Sequence, residues 1–221
     1  MWLAPAKVRS EDAPKEIAGW GVPVDPDGDC KITVAGPRLN IEIPGKPHAL
    51  CIERDQMNAP RVLRQMTGDF VAKVKVIGNF PKGAESQIEN RRAFHSAGFV
   101  LAMDHKNYIR LEKAEMVAGA QNMTFASFEL RDNGVGVRWG NAGEHPLEPK
   151  QEHVFLQIER EGGKITASIS NDDVKWTKLK PITVDWPATI ALGLTAGHNS
   201  SDGFKAGFEL LSVEEKAVPK K

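Results

Sequence analysis

The amino-acid sequence predicts an all-β fold, a sandwich of two packed antiparallel sheets. Apolar and polar residues alternate with period two in about ten short segments, which is typical of half-buried strands. Clusters of Gly, Asn, Asp and Pro separate these segments, as expected for turns. Helical spacing extends beyond one turn only in Ala59–Met66. Many short strands without long helices favour two stacked sheets over other architectures.

The first predicted strands form a hairpin. Cys30–Val34 and Leu39–Ile43 both alternate, and Gly36-Pro37 between them is a turn signal. Further along the chain, Ala59–Met66 (APRVLRQM) has the spacing of a short helix, which Thr67-Gly68 would end. This segment is therefore the main candidate for helix in the chain.

The middle of the chain supplies three more predicted strands. Phe70–Ile77 alternates, and its lysine-bearing face is expected in solvent. Pro81–Arg92 is polar and charged and is predicted as a long loop. Gly98–Met103 is a continuous apolar run, which favours a strand buried on both faces. Tyr108–Lys113 alternates again after a cluster of turn residues.

The second half of the chain continues the same pattern of strands and turns. Asp132-Asn133-Gly134 and Glu161-Gly162-Gly163 are turn signals between alternating segments. The strands predicted here are Phe125–Arg131, Val135–Trp139, Val154–Arg160, Ile165–Ser170, Thr189–Leu194 and Lys205–Val213. A chain of 221 residues could form one large β domain or two small ones, and a sandwich of this length is commonly a single domain.

Domain organisation follows from length and composition. We predict a disordered leader over residues 1–16, a single β-sandwich over 17–213 and a flexible tail over 214–221. The 29 basic and 29 acidic residues cancel, which disfavours general nucleic-acid binding. No apolar run approaches the roughly 20 residues that span a bilayer, and no signal-peptide pattern is present. The compartment stays undetermined: the sequence as given fits a cytoplasmic protein or a trimmed fragment, and an exported protein or a piece of a larger one is also open.

The two cysteines, Cys30 and Cys51, leave two interpretations open. They could form one disulfide if the protein is exported, or they could be buried thiols that act as small hydrophobes. Two cysteines are too few for a disulfide framework.

One acidic turn is a candidate metal site. Asp25, Asp27 and Asp29 stand at alternate positions and could supply oxygen ligands to calcium. However, an EF-hand loop also needs Gly at its sixth position and an acid at its twelfth, where this chain has Cys30 and Gly36. A turn in which Asp side chains bond nearby N–H groups is the alternative. We predict no cofactor, with calcium as the exception to be tested.

No catalytic constellation is evident. A sandwich glycosidase needs two acids on one strand face, typically in an E-x-D-x-x-E run. Glu53-Arg54-Asp55 begins such a run, but Asn58 stands where the third acid belongs. The six histidines have no zinc-ligand spacing. Acids from separate strands, such as Glu112 and Glu129, remain a route to hydrolysis.

Several polar and aromatic side chains are candidates for sugar binding. Sugar-binding faces present aromatic rings beside groups that hold hydroxyls. Tyr108 and Arg110 alternate on one strand and so share a face. Trp139 follows Arg138 at the end of another strand. The candidate ligand-binding residues are Tyr108, Arg110, Glu112, Arg138 and Trp139.

A family resemblance covers roughly residues 17–213. Its segments are GWGVPVDPDGDC, LNIEIPGKPHAL, MNAPRVLRQMTGDFVAKVKV, AGFVLAMDHKNYIRLEK and SISNDDVKWTKL. Together they resemble the concanavalin A-like lectin/glucanase superfamily, and within it the bacterial domain of unknown function 1349, typified by regulator-of-enolase proteins. The resemblance implies a two-sheet jelly roll and assigns no activity. It also implies that such a domain is often part of a larger or exported protein.

Three functions remain open at this point. The first is a non-catalytic carbohydrate-binding or adhesion module whose partner is a polysaccharide or glycan. The second is a structural or protein-interaction accessory domain, which would use sheet edges and long loops. The third is a glycoside hydrolase with dispersed carboxylates. Neither nucleic acid nor an inserted membrane is expected as a partner.

Overall fold

The computed structural model describes residues 15–78, 85–118, 121–140, 143–148 and 151–216. The predicted leader lies outside these residues except for its last two positions. The final strand continues to Glu215, two residues into the segment predicted as a tail.

Alternating segments become strands throughout the described chain. The strands are β1 (Val22–Val24), β2 (Lys31–Ala35), β3 (Arg38–Ile43), β4 (Leu50–Cys51), β5 (Gln56–Met57), β6 (Arg61–Thr67), β7 (Phe70–Ile77), β8 (Phe94–Ala102), β9 (Tyr108–Ala118), β10 (Gln121–Asp132), β11 (Val135–Arg138), β12 (His153–Glu161), β13 (Lys164–Ser170), β14 (Thr177–Lys178), β15 (Ile182–Thr183), β16 (Thr189–His198) and β17 (Phe204–Glu215). A 3-10 turn over Ile52–Arg54 joins β4 to β5. No helix of the described residues has the length and apolar character needed to cross a membrane.

Two antiparallel sheets stack face to face. The seven-stranded sheet has the order β1-β6-β16-β8-β9-β10-β11. The eight-stranded sheet has the order β14-β13-β12-β7-β17-β3-β2, with β15 added beside β13. This arrangement confirms the predicted all-β sandwich.

The main core lies between the inner faces of the two sheets. Phe99, Leu111 and Phe128 project from the seven-stranded sheet and are at most 2% exposed. Val74 and Leu156 meet them from the eight-stranded sheet and are fully buried. Burial of each such side chain stabilises the folded state by about 1.5–3 kcal/mol. The outer face of the seven-stranded sheet is therefore free to carry polar groups.

A second, smaller core covers part of that outer face. Leu50 and Ala59 pack there against Val100, Ala102 and Tyr108. Apolar contact on both sides explains why β8 is buried along nearly its whole length, as the continuous run Gly98–Met103 predicted.

The predicted helix at Ala59–Met66 is wrong. The segment forms β6, which lies between β1 and β16 in the seven-stranded sheet. Val62 and Met66 face the main core, whereas Leu63 faces the second core. Because both faces of this strand are covered by apolar groups, its apolar positions do not alternate and imitate helical spacing.

Three buried histidines lie together where β8 and β16 pair. His95 and His198 stack with ring centroids 5.5 Å apart, and His48 stacks on the other side of His198 at 6.3 Å. The hydroxyl of Ser200 lies 3.0 Å from both His198 Nδ1 and His95 Nε2. Phe204 packs against the pair, with its ring centroid 5.0 Å from that of His95. These stacking contacts and hydrogen bonds indicate that the three histidines have a structural role in the interior.

Candidate ligand-binding groove

A groove with a volume of about 710 Å³ lies on the outer face of the seven-stranded sheet. Its floor is formed by β8, β9 and β10, whose alternation turns Ser96, Arg110, Glu112, Ser127 and Glu129 away from the main core. The register of β9 and β10 sets Glu129 opposite Arg110 and Ser127 opposite Glu112. Hence the sheet itself brings two carboxylates and a guanidinium together.

One wall of the groove is the segment Leu50–Met57. The hydroxyl of Tyr108 holds this wall, because it donates to the carbonyl of Leu50 at 3.1 Å and accepts from the N–H of Ile52 at 3.3 Å. Tyr108 is only 1% exposed and so supports the wall from beneath.

The opposite side of the groove is the segment 85–93. Apart from one isolated bridge at Ser86, this described part of the predicted loop contains no strand. The side chain of Asn199 holds it, since its Oδ1 accepts from the N–H of Phe94 at 2.8 Å and its Nδ2 donates to the carbonyl of Arg92 at 3.0 Å. The groove thus has two walls that lie outside the large sheets.

The floor carries a network of ion pairs. Arg110 contacts Glu129 at 2.5 Å and Glu112 at 3.4 Å. Arg131 contacts the same Glu129 at 2.9 Å and Glu53 of the wall at 2.5 Å. The Arg131 side chain is 2% exposed, so its charge depends on these carboxylates for compensation.

Glu129 is the centre of this network. Beyond its two arginine partners, its Oε1 accepts from the Ser127 hydroxyl at 2.9 Å and from the backbone N–H of Gly140 at 3.2 Å. Four donors therefore fix the position of this carboxylate.

The two floor carboxyl groups differ in proton affinity. Burial acts to raise the pKa of Glu129, but Arg110 and Arg131 outweigh burial and hold this pKa at about 2. Burial raises the pKa of Glu112, and Arg110 offsets only part of that effect. Glu129 is therefore ionised at neutral pH, whereas Glu112 takes up a proton more readily.

Trp139 stands at the end of the groove and is 55% exposed. The guanidinium of Arg131 lies 4.0 Å from the centre of the indole, a cation–π contact. A Cβ at Gly136 would lie 2.2 Å from the ring, and a Cβ at Gly140 would lie 1.9 Å from the Ser127 hydroxyl. Glycine at position 136 therefore leaves room for the indole, and glycine at position 140 leaves room for Ser127 and Glu129 of the floor.

The structure brings together three of the five predicted ligand-binding residues. Arg110, Glu112 and Trp139 line the groove. Tyr108 lies beneath the wall, and Arg138 points elsewhere, where it donates to the Lys180 carbonyl at 2.6 Å. Neither of these two residues lines the groove.

Sequence reasoning missed other groove residues. Arg131 and Ser127 could have been found, because they alternate with Glu129 on one strand and must share its face. Glu53 and Asn199 come from distant segments, so no local pattern marks them.

The three aspartates of the candidate metal turn all have partners within the protein, and Asp27 and Asp29 share two of them, Lys46 and His48. Asp25 accepts from the backbone N–H of Cys30 at 2.8 Å, which closes the turn. Asp27 accepts from the Asn58 amide, 31 residues away in sequence, at 2.9 Å. Asp29 pairs with Lys46 at 2.6 Å. These contacts favour the turn interpretation, and calcium binding stays an untested prediction.

The cysteines are free thiols in the structure, and both are half-buried. Donor atoms of Asp29, Cys30 and His48 lie within 4.8 Å of one another. Burial, together with Asp25 and Asp29, raises the pKa of the Cys30 thiol.

The role of Tyr108 gives a testable prediction. We expect Tyr108→Phe to lower the free energy of unfolding by about 1–2 kcal/mol, since two buried backbone groups of the wall lose their partner. Urea denaturation measures this change. Hydrogen exchange should increase at Ile52, whose N–H donates to the Tyr108 hydroxyl. Unchanged stability together with unchanged exchange would show that the wall is held by other contacts.

Comparison with solved structures places the fold among β-sandwich proteins. A functionally unknown protein from Saccharomyces cerevisiae is 15% identical, with a TM-score of 0.64 over 85% of this chain and 93% of that one. The GH43 protein BlXynB from Bacillus licheniformis is 13% identical, with a TM-score of 0.62 over 87% of this chain. This chain spans 36% of the length of BlXynB.

A smaller solved structure has a similar fold over its whole length. The carbohydrate-binding module CBM66 from Bacillus subtilis is 12% identical, with a TM-score of 0.51 over 91% of this chain and 100% of that one. At such low identity these likenesses describe the fold alone. No curated protein sequence matches the chain.

A family model agrees with the resemblance seen in the sequence segments. Residues 48–216, well over half of the chain, match the family described as protein of unknown function (DUF1349). This range contains both walls and the whole floor of the groove. The chain therefore belongs to the DUF1349 family.

Proposed function

We propose that this chain is a non-catalytic carbohydrate-binding module, of the kind that also serves in adhesion, and that its groove holds a polysaccharide segment. The observation that carries the proposal is the exposed indole of Trp139 beside a floor of fixed charged groups. An aromatic ring can pack on the apolar face of a sugar, while charged side chains hold its hydroxyls.

The floor is suited to binding because it is already ordered. Arg110 and Arg131 are fixed by Glu129, which is itself fixed by Ser127 and Gly140. A ligand that bonds to such groups loses little free energy in ordering them. The similar fold of a carbohydrate-binding module agrees with this proposal without carrying it.

Trp139→Ala tests the proposal most directly. We expect at least tenfold weaker binding to the polysaccharide that the protein retains, because loss of one aromatic contact costs about 1.4 kcal/mol. Affinity electrophoresis against a polysaccharide panel finds the ligand, and titration calorimetry measures its dissociation constant.

The matched control is Val174→Ala, which removes an exposed apolar side chain, 77% accessible, from a turn beside the eight-stranded sheet. It should leave affinity unchanged. Absence of saturable binding to any polysaccharide would overturn the proposal and favour the structural or protein-interaction role. A pull-down with the wild-type chain would then identify the partner.

Hydrolysis of glycosides is a second candidate function, favoured by one observation. Glu112 and Glu129 lie in one groove with pKa values shifted in opposite directions, as in enzymes that pair a protonated acid with an ionised carboxylate. The four donors on Glu129 argue against it, because they occupy the oxygens that a nucleophile or general base needs. Release of reducing ends from a polysaccharide panel, lost in Glu112→Gln, would establish hydrolysis.

A further inference from the structure

The mouth of the groove is richer in positive charge than its floor. Arg54 of one wall and Arg91 and Arg92 of the other all line it. Arg91 and Arg92 belong to exposed positions of the segment 85–93. Across the described chain, the guanidinium groups of these three arginines take part in no hydrogen bond or ion pair.

The carboxylates of the groove do not compensate these arginines. Glu53, Glu112 and Glu129 contact the floor arginines, Arg110 and Arg131. Five arginines thus line a groove that contains three glutamates, a formal excess of two positive charges, and no carboxylate of the described residues pairs with the three arginines of the mouth. The whole chain has a formal net charge of zero, so this excess is a local feature.

The backbone beneath the mouth arginines is fixed. Asn199, which is 1% exposed, donates to the carbonyl of Arg92 at 3.0 Å and accepts from the N–H of Phe94 at 2.8 Å. The N–H of Gln87 donates to the backbone carbonyl of Asn199 at 2.8 Å. Buried bonds at several points hold the segment against the sheet, so its arginines start from a defined position. Because the backbone is already fixed, only the arginine side chains need to be ordered when an anion binds, which lowers the entropic cost of binding.

From this arrangement we infer that the ligand of the groove is an acidic polysaccharide, whose carboxylate groups are bound by Arg54, Arg91 and Arg92. The inference rests on the proposed function and adds the chemical class of the ligand. A guanidinium presents two parallel N–H donors that match the two oxygens of a carboxylate. A neutral sugar gives no compensation to three unpaired cations.

Nucleic acid is the competing anionic ligand, and the molecule favours a polysaccharide over it. Proteins that bind nucleic acid through its backbone carry an extended basic surface, whereas this chain is neutral overall. Here the three arginines of the mouth share one groove with Glu112 and Glu129. Such acids can accept hydrogen bonds from hydroxyl groups, which every sugar unit of a polysaccharide presents.

The experiment compares polymers that differ only in charge. Polygalacturonate, alginate and hyaluronate are each paired with a fully methyl-esterified form, and a single-stranded oligonucleotide is added as a separate arm. We expect at least one acidic polymer to bind at least tenfold more tightly than its ester. Raising the salt concentration from 0.05 to 0.5 M should weaken this binding, since exposed charges are screened.

Substitutions then test whether the arginines of the mouth cause the preference for acidic polymers over their esters. Arg91→Gln with Arg92→Gln should reduce affinity for the acidic polymer at least tenfold and leave affinity for the ester unchanged. Lys164→Gln with Lys178→Gln is the matched control, because it removes two exposed cations from the eight-stranded sheet. Thermal unfolding of each variant verifies that it is folded.

The outcomes separate the inference from the proposed function. Equal binding to acidic and esterified polymers, lost in Trp139→Ala, would overturn the inference and leave the proposed function standing. No binding to any acidic or neutral polysaccharide would overturn both. Binding to the oligonucleotide alone, weakened by the Arg91 and Arg92 substitutions, would also overturn both and assign the groove to nucleic acid.

Discussion

Replacement of Glu129 by glutamine will lower the free energy of unfolding by about 3–5 kcal/mol, as expected when one partner of a buried ion pair is removed. Arg110 and Arg131 share this carboxylate, and both guanidinium groups are largely buried. Glutamine has the same shape, so the change removes charge and leaves little cavity. Two arginines then keep only Glu112 and Glu53 as compensation.

Chemical denaturation of Glu129→Gln measures the loss. The control is Glu42→Gln, which breaks an exposed pair with Lys205 and should cost less than about 1 kcal/mol. A loss below 1 kcal/mol in Glu129→Gln would mean that water compensates the floor arginines. The ordered floor would then no longer support the proposed function.

The protein will lose stability in mild acid because two buried histidines resist protonation. Burial and the neighbouring His198 lower the pKa of His95 to about 4, and burial lowers the pKa of His198 as well. In the unfolded chain a histidine has a pKa of about 6.5. As the pH falls below 6.5, the unfolded state takes up protons that the folded state does not. Stability is therefore complete above pH 6.5 and is lost progressively towards pH 4.

The size of this effect follows from proton linkage. With a folded-state pKa of about 4, His95 alone removes about 3 kcal/mol between pH 7 and pH 4. Carboxylates such as Glu129, which has a pKa of about 2, lower the free energy of unfolding mainly below pH 4.5. Urea denaturation at intervals between pH 4.5 and 7 therefore measures mainly the histidines, while Glu112, whose pKa burial raises, acts in the opposite direction in this range.

Substitution assigns the effect to the buried cluster. His95→Gln should reduce the slope of unfolding free energy against pH by up to about 1.4 kcal/mol per pH unit. His105→Gln, at an exposed position, should leave the slope unchanged. A wild-type free energy that stays constant from pH 7 to pH 4.5 would contradict the prediction.

Much of the fold could be predicted because strands buried on one face reveal themselves by alternation. Phe70–Ile77 alternates in sequence, and its side chains alternate between buried and half-buried in the structure. Alternation does not reveal the strand Arg61–Thr67, because this strand carries apolar residues on both faces and therefore lacks the two-residue period. Two-residue strands such as Leu50–Cys51 are too short to show any period.

The site was less accessible to sequence reasoning, for a related reason. Alternation identifies residues that share a strand face, and it therefore predicts that Arg110 and Glu112 project from the same side of their strand. It also grouped Tyr108 with them, correctly as to face, but a segment from elsewhere in the chain covers that ring. Long-range contacts such as that of Glu53 with Arg131 depend on how loops return to the sheet. No pattern within a single segment contains this information.

The floor and the walls of the groove belong to different parts of the structure, so they can diverge independently within the family. Its floor belongs to the sandwich, but its two walls, Leu50–Met57 and the segment 85–93, are attached through a few anchors such as Tyr108 and Asn199. Insertions or exchanges in either wall can therefore alter groove width and ligand preference while the sheets persist. We expect related chains to conserve the anchors and to vary most at positions such as Arg54, Arg91 and Arg92, which belong to the two walls.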